Sequence, residues 1–247
     1  MSSAAQINHR VTDVLGSLGF ESHPFLVDWY NQQVSDKFAL SYAPGTLACI
    51  IISQPAMFER AFLPFLREKW DKTNIQDPID QCMIHYFDKL KKSLSELEIV
   101  SLHDFELTPL RRPKILVQTA GHVSGAVRFY RPNQFPKFTN NNYFPVCHHP
   151  RWGGWFALRG VLIFPEISEP DLIQVEPESP LSDSEAQNMM ELYNTHWQDW
   201  RWRDAGCPKE KYSSLQIKYF ETAPGERGKV IDCILQDNLD IYKENSS

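Results

Sequence analysis

Apolar residues recur along the chain with two periods, and the alternation between them defines most of the elements. Val11, Val14, Leu15 and Leu18 follow helical spacing and stop at Gly19, which predicts an amphipathic helix near the start. Leu47–Ser53 is a short continuous apolar run and predicts a buried strand, after which Pro55 opens a helix through Phe58, Phe62 and Phe65. Asp77-Pro78 has the form of a helix start, aspartate as N-cap and proline in the first turn, with Ile79, Met83, Tyr86 and Leu90 along one face. Glu98–Leu102 and Lys114–Thr119 read as strands. Gly121–Tyr130 stays open: its period fits a helix, whereas Val127, Phe129 and Tyr130 suit a strand. Gln134–Tyr143 is polar and predicts a loop, and Trp155–Phe164 a strand buried on both faces. Pro165–Pro180, with four prolines and five carboxylates, predicts an extended connector. Ser182-Asp183-Ser184-Glu185 matches a capping box that starts a helix through Met189, Leu192 and Trp200. Shorter helices follow Pro208 and Pro224. Helices and strands mix without strict alternation, which favours an α+β fold over a doubly wound parallel sheet.

Composition narrows the class. The 247 residues, 42% hydrophobic and 23% charged, suit a soluble globular protein, read as one domain over 1–235 with a short polar tail at 236–247. A net charge of −6 without a basic block argues against unselective nucleic-acid binding. No apolar run reaches membrane-spanning length, and Met-Ser-Ser-Ala-Ala has no basic-then-apolar signal pattern. Five scattered cysteines without CxxC suit reduced thiols, so a cytoplasmic address is expected.

The densest chemistry lies in Cys147-His148-His149-Pro150-Arg151-Trp152-Gly153-Gly154-Trp155 and on to Arg159. Glycine lets a ligand approach the backbone, indoles offer flat walls, and guanidiniums grip carboxylates or phosphates. A tight turn entering a strand explains the same residues, and the two readings are compatible. Cys147 reads chiefly as a small buried residue. The chain has no GxGxxG, no P-loop, no HxxxH and no HExxH, so no protein-held metal is expected, and His148 and His149, adjacent on a strand, would face opposite ways. His196 to Asp204 interleaves three indoles with arginine; as a helix it would bring His196, Trp200 and Arg203 to one face. His122 lies in Ala120-Gly121-His122-Val123-Ser124-Gly125, similar to the second half of the cobalt-ligating Asp-x-His-x-x-Gly motif. Alanine replaces the aspartate that would orient the imidazole, so His122 reads as a hydrogen-bonded wall residue.

Several blocks in one order carry a resemblance: Pro55-Ala56-Met57-Phe58, Asp77-Pro78-Ile79-Asp80-Gln81-Cys82, Arg111 to Ala120, His122 to Ala126, His149 to Gly160, and His196 to Trp200. From about Gly19 to Arg227 the chain resembles the type C cobalamin-processing family. The resemblance implies a flavin-dependent nitroreductase-like fold with a mixed or antiparallel sheet, and cobalamin bound with its lower base detached. It implies two reactions: glutathione-dependent dealkylation of alkylcobalamins, and decyanation of cyanocobalamin by reduced FMN or FAD with NADPH as reductant. It places glutathione on Arg159, Arg203 and Arg227. It places cobalamin on Asp104, Ile115, Leu116, Val117, Gln118, Phe129, Tyr130, Arg131, Cys147 and Leu158, with His122 beside them. It further implies the type D cobalamin-trafficking protein as partner, methionine synthase downstream, and a monomer or a ligand-induced dimer. The sequence departs from the family at Arg128-Phe129-Tyr130, Arg131 and Gln134–Phe144. A non-catalytic carrier handing the vitamin onward is the competing reading, and an ordinary flavin nitroreductase a third.

Overall fold

The computed structural model describes residues 3–71, 77–138 and 142–236. In chain order the elements begin with α1 (Ser3–Leu15), β1 (Phe20–Leu26), α2 (Val27–Asn31) and β2 (Thr46–Ser53). A π-turn at Phe58–Phe62 leads into α3 (Leu63–Lys69), then α4 (Pro78–Ser93), β3 (Val100–His103) and α5 (Val117–Val123). Next come the short strands β4 (Arg128–Tyr130) and β5 (Val146–His148), and the long β6 (Ala157–Ser168). The chain closes with α6 (Asp183–Thr195), α7 (Ser214–Glu221) and α8 (Arg227–Leu235). A four-stranded sheet in the order β1-β2-β6-β3 is antiparallel throughout, and β4 and β5 form a separate ribbon. The class is α+β.

Strand β2 is buried along its whole length because helices cover both faces. Its side chains alternate: Leu47, Cys49 and Ile51 join the core beneath α1 and α4, whereas Ala48, Ile50 and Ile52 join the core beneath α2 and α5. A third apolar cluster, with Phe135, Phe138, Val146, Met189 and Met190, seats α6 on the ribbon. No helix among the described residues is long and apolar enough to cross a membrane.

The first helix, β2, the helix after Pro78, the capping box at Ser182 and the helices after Pro208 and Pro224 all form as the periodicity predicts. Other expectations need correction. The stretch 114–119 is not a strand, since Val117 already begins α5. The Leu116 amide donates to the Tyr30 hydroxyl at 3.1 Å, and Gly121 lets α5 lie hard on β6, where a Cβ would meet Leu158 at 3.0 Å. Packing thus overrides the β propensity of Ile115 and Val117. The open stretch 121–130 divides, helix to Val123 and strand from Arg128. Strand β6 begins at Ala157 rather than Trp155 and runs past Pro165, so the connector starts four residues late. Pro165 is tolerated because β3 pairs only with Gly160–Ile163, which leaves the proline no ladder bond to break on that side. Asp77 holds the N-cap position but caps nothing: at φ 50 its backbone is left-handed. Helix α6 stops at Thr195, and the tryptophan-rich run continues as two 3-10 turns broken at Trp200. The loop from 134 carries a 3-10 turn at Pro136–Phe138, its residues 139–141 lie outside the described residues, and so does the polar tail from 237.

Gly160 marks where β3 closes on β6: φ is 148, and a Cβ would stand 2.5 Å from the Leu102 carbonyl oxygen. A backbone atom cannot give way there. Gly160→Ala is expected to cost about 2 kcal/mol or more, read as a lower urea midpoint, while a surface change such as Lys92→Ala leaves the midpoint within experimental error.

Candidate functional site

The turn at 149–153 is closed by paired backbone bonds, His149 N to Gly153 O and Gly153 N to His149 O, each 2.9 Å. Its anchor is Glu21 on β1. The Glu21 carboxylate accepts N–H bonds from His23 at 3.0 Å, His149 at 3.1 Å, Gln54 at 3.1 Å and the Trp152 indole. Burial alone would raise the carboxyl, but the hydrogen bonds from His149 and His23 hold it far below the usual carboxylate range. Glu21, His23 and His149 also place three ligand atoms within 4.8 Å of one another. The tautomer decides between a cation site and a hydrogen-bond hub. His149 Nδ1 accepts from the amides of Arg151 at 3.1 Å and Trp152 at 3.3 Å, so the ring proton sits on Nε2, facing Glu21. A metal on Nε2 would force that proton onto Nδ1, against two N–H donors. The trio is a hub. His148, as its strand position predicts, points elsewhere and bonds the Ala205 carbonyl at 2.9 Å.

The glycines of this turn receive protein rather than ligand, a correction to their expected use. A Cβ on Gly153 would lie 2.5 Å from the Arg203 carbonyl oxygen, and one on Gly154 would lie 2.7 Å from Arg203 Cα. Trp152 is buried behind Glu21, and Arg151 stacks over its indole at 4.3 Å. The Gly154 amide donates to the Arg203 carbonyl at 2.9 Å, and the Arg203 guanidinium donates back to the Gly154 carbonyl. Trp155 donates to Asp204 at 2.8 Å and stacks on Trp200, with ring centroids 5.8 Å apart and planes 5° from parallel. Arg203 thereby sits in a box of rings, 4.3 Å from Trp202, 4.8 Å from Trp200, 5.3 Å from Tyr212 and 5.8 Å from Trp155. Its Nε is buried without a partner. Although the run is not a helix, Trp200 and Arg203 still meet.

Two cavities open around this box. The larger, about 880 Å³, is walled by Tyr193, Trp197, Trp200, Trp202, Arg203 and Phe220. The smaller, about 330 Å³, is lined by Asp104, Ile115, Leu116, Val117 and Gln118 from one side, and by Cys147 and Leu158 from the other. Tyr193, Trp202 and Arg203 line both. His122, Phe129, Tyr130 and Arg131 line neither. His122 is kept neutral by burial, Tyr130 bonds Ser179 at 2.9 Å, and Arg131 stacks over Phe129 at 4.8 Å. Cys147 is half-buried at the wall of the smaller cavity, and its surroundings push the thiol up, away from the thiolate. Arg159 is buried, donates from Nε to Ser53 at 2.9 Å and makes no ion pair among the described residues. Arg227 donates to the Thr222 carbonyl at 3.2 Å and lies over Tyr219 at 5.2 Å. Arg159 is within electrostatic reach of Arg203, and Arg159 and Arg227 share Asp80, whose carboxyl is pushed up to about 7 by burial and by Asp77 and Asp104. The three arginines therefore flank one charged region, although only Arg203 lines either cavity. Glu21, Tyr193 and Asp80 went unmarked by spacing: Glu21 stands in a strand far along the chain from its partners, and Tyr193 has no motif around it.

The sequence signature of the methylmalonic aciduria and homocystinuria type C family matches residues 19–231. The chain belongs to this family. Among curated family members, the cyanocobalamin reductase / alkylcobalamin dealkylase of Gallus gallus is 41% identical, over 92% of this chain and 96% of its own. That of Homo sapiens is also 41% identical, over 90% and 80%. The fold matches the crystal structure of a C. elegans B12-trafficking protein CblC, described as a human MMACHC homologue, with a TM-score of 0.85 and 32% identity over 100% of this chain and 99% of that one.

Replacing Glu21 with glutamine keeps the shape but turns an N–H toward its donors. Glu21→Gln is expected to cost about 3 kcal/mol at pH 7. Because the folded pKa lies below the unfolded value of 4.5, the carboxylate's contribution is whole above that pH and is lost as pH falls through and below it. The gap between wild type and variant in chemical denaturation should therefore narrow on going from pH 7 to pH 3.5; a gap independent of pH would refute the role of the charge.

Proposed function

We propose that this protein is a cytosolic cobalamin-processing enzyme and chaperone that binds the vitamin with its lower base off cobalt and removes the upper ligand. The observation that carries the reading is convergence. Asp104, Ile115 to Gln118, Cys147 and Leu158, assigned to corrin by resemblance and scattered over four stretches of sequence, line one cavity that joins an aromatic one at Arg203. An apolar floor with amide and carboxylate partners at its edge suits a corrin rim of amides. Loss of the lower base leaves cobalt with fewer ligands, which eases its reduction and makes alkyl transfer from it easier.

In the dealkylation, a glutathione thiolate attacks the alkyl carbon and cob(I)alamin leaves, so the protein's task is to align sulfur, carbon and cobalt. Arg203, desolvated and with a free Nε, and Arg159, buried and in no direct ion pair among the described residues, are suited to a tripeptide with two carboxylates, and Arg227 completes the set. For the cyano substrate, reduced flavin, when bound, supplies the electrons that NADPH replenishes; the indoles of Trp197, Trp200 and Trp202 offer faces for its ring in the larger cavity. A nitroreductase-like ancestry accords with the antiparallel sheet flanked by helices. The type D trafficking protein as partner, methionine synthase as downstream recipient and a ligand-induced dimer belong to the same proposal. A bare carrier has no use for desolvated guanidiniums gathered beside its cavity, and for that reason the enzyme reading is preferred.

Adding methylcobalamin to the protein should shift the visible bands toward the base-off form, and anaerobic glutathione should then give the cob(I)alamin spectrum. Arg159→Ala is expected to raise the KM for glutathione on the order of tenfold or more, with the vitamin's shift preserved. Unchanged bands on addition of the vitamin would sink the reading, and an unchanged KM would sink the anchoring role.

A further inference from the structure

The smaller cavity poses a question of proton balance. A thiol attacks only as its thiolate, and a free cysteine thiol ionises near pH 8.5. Something must take that proton at neutral pH. The residues lining the cavity include one carboxylate, Asp104, and one cation, Arg203. No histidine lines it, and Cys147 is raised by burial beyond use as an acceptor. Asp104 is also fixed in place. Its amide donates to the Arg159 carbonyl at 3.3 Å, which ties the turn that begins at Asp104, directly after β3, to β6.

We propose that Asp104 is the general base of the thiol-dependent reaction, its carboxylate removing the proton from the glutathione sulfur inside the cavity. This role rests on the functional reading above. In the step, the S–H bond breaks and an O–H bond forms on Asp104. The sulfur lone pair then forms the S–C bond to the alkyl group, and the Co–C pair departs with cobalt as cob(I)alamin. The proton returns to solvent from Asp104 after the thioether leaves. Until that proton leaves, charge within the cavity is conserved, which suits a desolvated site.

The surroundings match a base rather than a permanent anion. Burial raises the Asp104 carboxyl, Arg159 and the amides of Asp104 and Phe105 oppose that rise, and Asp77 adds to it. The charged groups facing it are Arg159 on β6, Asp77 and Asp80 at the start of α4, and Arg203 across the cavity. Asp80, itself raised to about 7, disfavours a second negative charge close by, so a proton arriving on Asp104 relieves repulsion among the carboxylates.

The test is the pH profile of methylcobalamin dealkylation at saturating glutathione, without oxygen, in wild type and Asp104→Asn. In wild type the rate should climb tenfold per pH unit and level off well below the ionisation of the glutathione thiol. In Asp104→Asn, read at a saturating concentration of the vitamin, the rate at pH 7 should fall about a hundredfold or more, and the break should move up to the thiol's own ionisation. A more acidic thiol, trifluoroethanethiol, should recover much of the lost rate in the variant, which a merely structural defect would not allow. A wild-type break already at the thiol ionisation overturns the role without recourse to any variant. Parallel profiles for the two proteins do the same. A wild-type protein that never forms cob(I)alamin overturns the functional reading and, with it, this one.

Discussion

The arrangement around the cavities depends on one buried carboxylate. Glu21 lies on β1, at the edge of the sheet, yet its oxygens collect N–H groups from the β1–β2 side and from the turn at 149–153. That turn is otherwise held by its own paired backbone bonds, by the Lys209 amide on the Arg151 carbonyl, and by burial of Trp152 in the core beneath α2 and α5. An ionised acceptor bonded by several donors is stronger than the same number of neutral pairs, and it leaves few other orientations open to His149 and Trp152. Fixing those rings fixes Gly153 and Gly154, and these glycines decide how closely Arg203 can approach. The hub thus sets the position of a guanidinium that it never touches.

The same region concentrates buried charge. Arg203 and Arg159 are both desolvated, Asp80 and Asp104 are raised, and Trp200 at φ 64 holds a backbone conformation that bulky residues avoid. Such features weaken a fold and are retained only where the surrounding structure forces them. Here the forcing is visible in the packing of β2 and β6, whose side chains fill two cores at once, and in the aromatic box that replaces water around Arg203. Cation–ring contacts return part of the lost hydration without neutralising the charge, so the guanidinium remains ready for an anion.

The fold was legible where burial has a simple period. Strand β2, helix α4 and the capping box at Ser182 lie as patterned because each buries one face or two against a continuous core. Reading failed where a single tertiary contact outvoted local preference. The Tyr30 hydroxyl and the bare face of Gly121 turned a β-branched stretch into α5, and the grip of Gly154 on Arg203 unwound the expected end of α6. The residues from Ile115 to Gln118 and Leu158, named by resemblance, line one cavity, whereas Glu21 could not be found by spacing, because its partners at 149 and 152 come from a distant turn. The glycine pair was noticed for the right reason, close backbone approach, but the approaching group is the protein's own chain.

This last point changes how the arginines should be compared. Arg203 contributes its backbone as well as its side chain to the turn: its carbonyl accepts from the Gly154 amide, and its guanidinium donates to the Gly154 carbonyl. Truncating it removes an anion contact and a structural tie together, so any loss of activity would have two origins. The Arg159 guanidinium donates from Nε to the Ser53 hydroxyl at the end of β2, and that hydroxyl already donates to the Ala157 carbonyl at 3.4 Å, a bond it keeps when the arginine side chain is gone. Its loss leaves the aromatic box and the hub intact. Arg159 therefore reports on charge in the pocket, that of the ligand and that of Asp104, and Arg203 on how far ligand binding and the architecture of the turn are one interaction.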